Sequence, residues 1–289
     1  MDNIEQRVST IVNDREHGSR WLVREAMIVL RDIASSPTSS PKETMQQLHT
    51  AGKQLAQSRP AMAALAGAVG RILHAANEPD GIAQKASEML DDYESASERI
   101  ATFARPLLIG TLMTHSISGT VVDVFIACRE QIERVIALEG RPRYEGRELA
   151  KELVKHDIAV TLITDAQADI FLPQCHAFVV GADTVLASGD VLNKAGTALL
   201  AWAARGHAIP LYVLCETLKI SPHSWAGNLA QLEEKEADEV LPTPIQGVSV
   251  RNFYFDRTPA RLVSRVITEQ GPMGKAEIKK VASSLKGIV

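Results

Sequence analysis

The sequence predicts an α/β protein in two parts, an all-helical domain over residues 1–104 and a doubly wound parallel sheet over residues 105–289. Three observations carry that prediction. Up to Phe103 the apolar residues recur at three- and four-residue steps, the period of a half-buried helix. After Arg105-Pro106, short β-branched apolar runs alternate with helical patterns, which is how parallel strands joined by crossover helices read. With 289 residues, 45% of them hydrophobic, the chain can bury one large core or two modest ones without staples.

Taken in order, Ile4 to Ile33 is helical but interrupted at Asn13 to Arg20, and it resumes with Trp21, Leu22, Ala26, Val29 and Leu30. Ser35 to Pro41 is a polar loop punctuated by prolines, Lys42 to Gln57 a further amphipathic helix, and Ser58-Arg59-Pro60 its interruption. Met62 to Ala76 is an Ala-rich helix, Glu78 to Gly81 a turn, and Ile82 to Phe103 one long helix with a polar face. Strands follow at Leu107–Met113, Val135–Leu138, Ala159–Ile163, Ala177–Val180 and Leu211–Cys215. The crossover helices between them are Ser118–Ile132, Tyr144–His156, Ala166–Leu172 and Leu192–Arg205.

Composition narrows the function. The net charge of −4 offers no basic excess, so a dedicated nucleic-acid binder is not expected. Cys128, Cys175 and Cys215 stand far apart, without the spacing of a zinc site or a disulfide framework, and read as small core residues. No segment has the length and apolarity of a membrane span or the form of a signal peptide, so a cytoplasmic protein is expected. Neither a G-x-G-x-x-G turn nor a P-loop follows the first strand, and no nucleotide cofactor or metal is expected.

The chemistry should lie at the carboxyl edge of the sheet, where ligands gather in open α/β folds. Asp183 sits at the carboxyl edge of the run His176–Val180, Gly189 permits a tight turn, and Asn193-Lys194-Ala195-Gly196-Thr197 opens the next helix. A carboxylate, an amide, a cation and free backbone N–H groups then converge, as an anionic, hydroxylated ligand such as a sugar phosphate would need. Asp183 and Asn193 could equally be a turn cap and a helix cap. His17-Gly18-Ser19 is either an anion-binding helix start or a plain cap. After other strands come Thr114-His115-Ser116-Ile117-Ser118, Glu139-Gly140-Arg141-Pro142 and Glu216-Thr217-Leu218-Lys219. Ser116 and Ser118 could only cap a helix, His115 could be a packed core histidine, and Arg141 and Lys219 could be solvated charges; their placement at one edge favours function.

These same residues resemble a superfamily along nearly the whole chain: the methylthioribose-1-phosphate and ribose-1,5-bisphosphate isomerases, with the regulatory subunits of the eukaryotic initiation-factor-2B exchange factor. The matching motifs are T-H-S-I-S-G at Thr114–Gly119, E-G-R-P at Glu139–Pro142, V-T-L-I-T-D-A at Val160–Ala166 and V-G-A-D at Val180–Asp183. L-N-K-A-G-T at Leu192–Thr197, P-L-Y-V at Pro210–Val213 and E-T-L-K at Glu216–Lys219 continue the match. Ser58-Arg59-Pro60 and the chain length look closer to the bisphosphate isomerases. The resemblance implies a C-terminal Rossmann-like domain, a homodimer built through it, and a cofactor-free conversion of an aldose 1-phosphate to a ketose 1-phosphate. It places the catalytic aspartate at Asp183 and ligand contacts at Gly18, Arg59, Asn193, Lys194 and Lys219, with His17 where an arginine is expected; Ser19, Ser118 and Arg141 complete the expected site. The catalytic cysteine of the family falls on Ser116, and an alcohol is a far weaker acid than a thiol. Two functions are therefore expected in competition: a sugar-phosphate isomerase using Asp183 and Ser116, or a non-catalytic regulatory relative.

Overall fold

The structure is a computed structural model that describes residues 4–14, 17–36, 40–60, 62–221, 232 and 234–285. The centre of the predicted Ser35–Pro41 loop and residues 15–16 of the first interruption lie outside the described residues. Helices α1 (Ile4–Asn13), α2 (Ser19–Ala34), α3 (Pro41–Gln57), α4 (Ala63–Leu73) and α5 (Pro79–Glu94) form the first layer. Local chemistry sets their starts. Ser40 accepts from the Glu43 amide while the Glu43 carboxylate accepts from Ser40 N–H, and Pro41 supplies a helical φ at the first position. Leu22, Met27, Leu30, Leu48, Leu55, Leu65, Ile72 and Ile82 fill a core shared among these helices.

The predicted helix Ile82–Phe103 is two helices. It breaks at Ser95, whose hydroxyl turns back to Asp91 O at 2.9 Å, and resumes as α6 (Ala96–Ala104). The break has a packing consequence: Ile100, Ala101 and Ala104 leave the helical core and pack with Val121, Phe125 and Leu149 on one face of the sheet.

The elements that follow are β1 (Gly110–Thr114), α7 (Gly119–Ala127), β2 (Ile132–Leu138), α8 (Glu145–Lys155), β3 (Val160–Ile163), α9 (Ala168–Phe171), β4 (Ala177–Val180), β5 (Thr184–Val185) and β6 (Val191–Lys194). After them come α10 (Thr197–Gly206), β7 (Leu211–Leu214), β8 (Phe255–Thr258), β9 (Arg265–Thr268), β10 (Gly271–Met273) and α11 (Lys275–Ser284). Seven strands form the main sheet in the order β10-β9-β7-β4-β1-β2-β3, all parallel except the β9–β10 pair. Helices α6, α7 and α8 contribute to the core on one face, and α9, α10 and α11 to the other. Strand β4 therefore runs centrally and is buried at all four positions.

The predicted helix Leu192–Arg205 begins five residues late. Val191–Lys194 is instead the middle strand of a small antiparallel sheet, β5-β6-β8, in which Lys194 pairs with Phe255 and Val191 with Thr258. Its partner lies more than sixty residues downstream, so no local period in the sequence announces it. Cys128, Cys175 and Cys215 are buried free thiols, as expected.

Candidate functional site

The carboxyl ends of β1, β2, β4 and β7 bring the motifs together from four parts of the chain. At the end of β4 the backbone passes so close to Ser118 that a Cβ on Gly181 would lie 2.5 Å from its Oγ. Two residues later comes Asp183, whose N–H is held by Leu192 O at 3.0 Å. Its carboxylate makes no hydrogen bond to the described residues. Burial pushes the Asp183 carboxyl above the usual range, opposed first by Lys219 and then by Lys194. A carboxyl raised by burial and felt by two lysines therefore stands at this edge.

Both lysines are buried, Lys194 at 5% and Lys219 at 4% exposure. Lys219 follows β7 in a single turn of 3-10 helix, and its Nζ donates to Ser19 Oγ at 2.6 Å. That contact joins the first residue of α2 to the sheet edge. Gly18 caps α2 in extended conformation, and apart from its chain neighbours no described residue lies within 4 Å of where its Cβ would be. Arg59 reaches the same loop by donating to Asp14 O. His17 is fixed there too: its Nδ1 meets Asp14 Oδ2 at 2.7 Å and its ring stacks on Trp21 at 4.1 Å.

Lys194 is placed differently. Its Nζ forms an ion pair with Glu145 Oε1 at 2.7 Å and lies 4.7 Å from the centre of the Tyr254 ring. Asn193 donates to Thr197 Oγ1 at 3.1 Å, tying the end of β6 to the start of α10. The backbone N–H groups of that start are not free, against expectation. Asp256 accepts from Gly196 N at 2.7 Å and from Ala198 N at 3.1 Å, so an internal carboxylate already occupies the helix terminus.

Ser116 sits at φ 65°, a left-handed conformation that costs a non-glycine residue free energy and is found most often in turns and functional sites. It is half-buried, and its hydroxyl forms no hydrogen bond among the described residues. His115 beside it is 4% exposed; Nε2 meets the Ala195 carbonyl at 2.9 Å and so carries the proton, because a carbonyl only accepts. Burial pushes the pKa of this imidazole down and favours its neutral form, and its buried Nδ1 has no hydrogen-bond partner among the described residues. Gly196, at φ 109°, is required in the turn beneath it, since a Cβ there would lie 2.9 Å from His115 Nε2. Ser118 takes the capping role left open by the sequence, accepting from Val121 N at 3.5 Å. The Arg141 guanidinium donates to Tyr144 OH at 2.7 Å and to Val240 O at 3.1 Å, which directs it along the rim.

Three acidic residues of this edge went unpredicted: Glu145 neutralises Lys194, Asp165 accepts from Gly140 N and Arg141 N at 2.9 and 2.8 Å, and Asp256 caps α10. Glu216, which the sequence placed at this edge without a partner, accepts from Thr120 Oγ1 at 2.6 Å. Asp165 lies inside a motif that the sequence displays, and its position after β3 was the available signal. Asp256 lies on a strand that pattern alone did not reveal.

The initiation factor 2 subunit family matches residues 15–275 of this chain. The chain belongs to that family. Ribose 1,5-bisphosphate isomerase of Archaeoglobus fulgidus is 32% identical over 282 residues, covering 94% of this chain and 90% of that protein. Among solved structures, translation initiation factor eIF-2B of Pyrococcus horikoshii superposes with a TM-score of 0.82 at 30% identity, covering 94% of this chain and 97% of its own. The 5-methylthioribose 1-phosphate isomerase of the same organism superposes at 0.78 with 25% identity, covering all of this chain and 89% of its own. The family therefore includes relatives with isomerase names and relatives with initiation-factor names. Among the described residues no helix is long and apolar enough to cross a membrane.

Proposed function

We propose that this family member binds a phosphorylated pentose at the Asp183 edge and isomerises an aldose 1-phosphate to the ketose 1-phosphate. The single observation that carries the reading is Asp183 itself: an unbonded carboxyl, pushed up by burial, between Lys219 and Lys194. Such a group holds a proton beyond the usual carboxylate range and gives it up beside a cation, as an acid catalyst must. Lys219, the Gly18-Ser19 helix start and Arg59 would receive the phosphate, with His17 at their rim; Lys194 and Asn193 would meet the sugar from the opposite side. Arg141 would bound the site at its outer end.

The aldose-to-ketose conversion moves one hydrogen from the second carbon to the first. Asp183 would deliver its proton to the ring oxygen as the ring opens and recover one from the hydroxyl that becomes the ketone. The Ser116 turn would carry the carbon-bound hydrogen, and there the chain has an alcohol where the family resemblance implies a thiol. An alcohol without a bonded activator favours a second reading, a sugar-phosphate-sensing regulatory protein that binds without turning over. Both readings share the proposed division into a helical domain, 1–104, and a Rossmann-like domain, 105–289. Both also share a homodimer through the latter, whose exposed Ile170, Leu199 and Trp202 supply an apolar surface. NMR of ribose 1,5-bisphosphate and methylthioribose 1-phosphate in D₂O separates the readings. Ketose formation with deuterium exchange, lost in Asp183→Asn, supports the isomerase; ligand line-broadening without conversion supports the regulator, and neither effect would exclude both sugars.

A further inference from the structure

Beneath Lys219 lies a set of buried polar groups that the proposed reaction does not use. Glu216, 3% exposed, spends Oε1 on the Thr120 hydroxyl at 2.6 Å, while its backbone carbonyl accepts the Lys219 N–H at 2.9 Å. One residue thus grips both arms of the site: the Lys219 turn after β7, and the first turn of α7, which begins directly after Ser116 and Ser118. From the other end of the turn, Glu269 accepts from Thr217 N at 2.9 Å and from its hydroxyl at 2.5 Å. From the helical layer, Arg71 of α4 donates to Thr217 O at 3.4 Å.

Three atoms of this cluster have no partner among the described residues: Glu216 Oε2, Tyr93 OH and Arg71 Nε. They are an acceptor, a hydroxyl that can donate or accept, and a donor. Tyr93, on α5 and 4% exposed, feels the charges of Glu216, Arg20 and Glu269, and Arg71 feels that of Glu269. Buried polar atoms are rarely left unsatisfied, and a buried water commonly bridges about three of them. A cation would be repelled by Arg71, and an anion by the two carboxylates; a neutral molecule that donates once and accepts twice satisfies all three atoms.

We propose that Glu216 is a positioning residue, and that an ordered buried water joins its Oε2 to Tyr93 OH and Arg71 Nε and so locks the Lys219 turn to the helical layer. Glu216 sets where Lys219 stands relative to the Ser116–Ser118 turn without itself touching the ligand. The consequence for ligand binding rests on the function proposed above; the water and the turn do not.

The test uses the full chain with Glu216→Met, Thr120→Val, the double variant and Tyr93→Phe. A crystal structure of the unliganded protein is expected to show one water within hydrogen-bond distance of all three atoms. In Glu216→Met the Lys219 amide should exchange at least tenfold faster. Affinity for ribose 1,5-bisphosphate should fall about tenfold in either single variant and no further in the double, because both break the Thr120–Glu216 bond. Tyr93→Phe should lose about threefold. A residue with a merely structural role would lower the melting temperature while leaving Lys219 exchange and affinity unchanged, and that pattern overturns the proposal. So does electron density in which Tyr93 bonds Glu216 directly with no water. If the wild-type protein does not bind the bisphosphate, the functional reading fails, and the crystal structure and the exchange of the Lys219 amide decide the positioning role alone.

Discussion

Two lysines equally buried, on either side of one carboxyl, have been given opposite partners. Lys194 is ion-paired with Glu145 and covered by the Tyr254 ring, whereas Lys219 is held only by the neutral hydroxyl of Ser19 and forms no ion pair among the described residues. A buried cation without a counter-charge is costly, and a bound anion offsets that cost. Lys194 is already compensated, so an arriving phosphate gains little by displacing Glu145. The difference teaches that the two cations are not equivalent: the charge of Lys194 is balanced by Glu145, whereas Lys219 forms no ion pair among the described residues and is the one left to receive the anion in the proposed function.

The strongest way to break this contrast is to remove each charge while keeping its length. Lys219→Met should weaken binding of ribose 1,5-bisphosphate at least 100-fold, while Lys194→Met should cost only about tenfold, both by titration calorimetry. Equal losses would erase the distinction. The Lys219 variant should also fold at least as stably as wild type, because a methionine fills the same space without an unpaired charge.

A second experiment liberates the other lysine. Glu145→Gln leaves Lys194 buried without its counter-charge and should destabilise the protein by about 1–3 kcal/mol in urea unfolding. It should simultaneously tighten anion binding several-fold, since Lys194 then seeks a partner. Destabilisation without any gain in affinity would mean that Lys194 does not face the ligand.

Asp183 reads the two cations together. Its carboxyl is raised by burial, so relative to the unfolded chain the folded state resists ionisation. The stabilisation is whole below the ordinary carboxylate range and is lost as pH rises through the raised value. Asp183→Asn should therefore match wild type at pH 3–4 and melt at a higher temperature at pH 7–8. A higher melting temperature for wild type at neutral pH would show that the lysines outweigh desolvation. The smallest effect is expected at Ser19→Ala, which removes the one hydrogen bond made by Lys219 Nζ among the described residues: about threefold in affinity and roughly 0.5–1.5 kcal/mol in stability.

Much of the site was legible because its residues follow the strands that carry them. Asp183 after β4, Lys219 after β7 and the His115–Ser118 turn after β1 need only the rule that parallel strands end at one edge. The partners were not legible. Nothing near Lys194 says that Glu145, forty-nine residues earlier, neutralises it, and nothing near Gly196 says that Asp256 fills its helix terminus. The misread Leu192–Lys194 segment has the same origin: an apolar stretch ahead of a helix joins that helix by local pattern, until β8 pairs with it from across the chain.

What the sequence determined by itself is the alternation of main-sheet strands with crossover helices as far as β7, the gathering of Asp183, Lys219 and the His115–Ser118 turn at one sheet edge, and the family. Those features are written in short-range periods and motifs of a few residues. Only the tertiary structure decided which buried charge is balanced and which is not, and where the second half of a long helix would pack. It also decided whether a helix start was open to a ligand or closed by the chain's own carboxylate. Each of these depends on contacts between segments tens of residues apart, and the free energy of a charge depends on what surrounds it in space, which local sequence does not record.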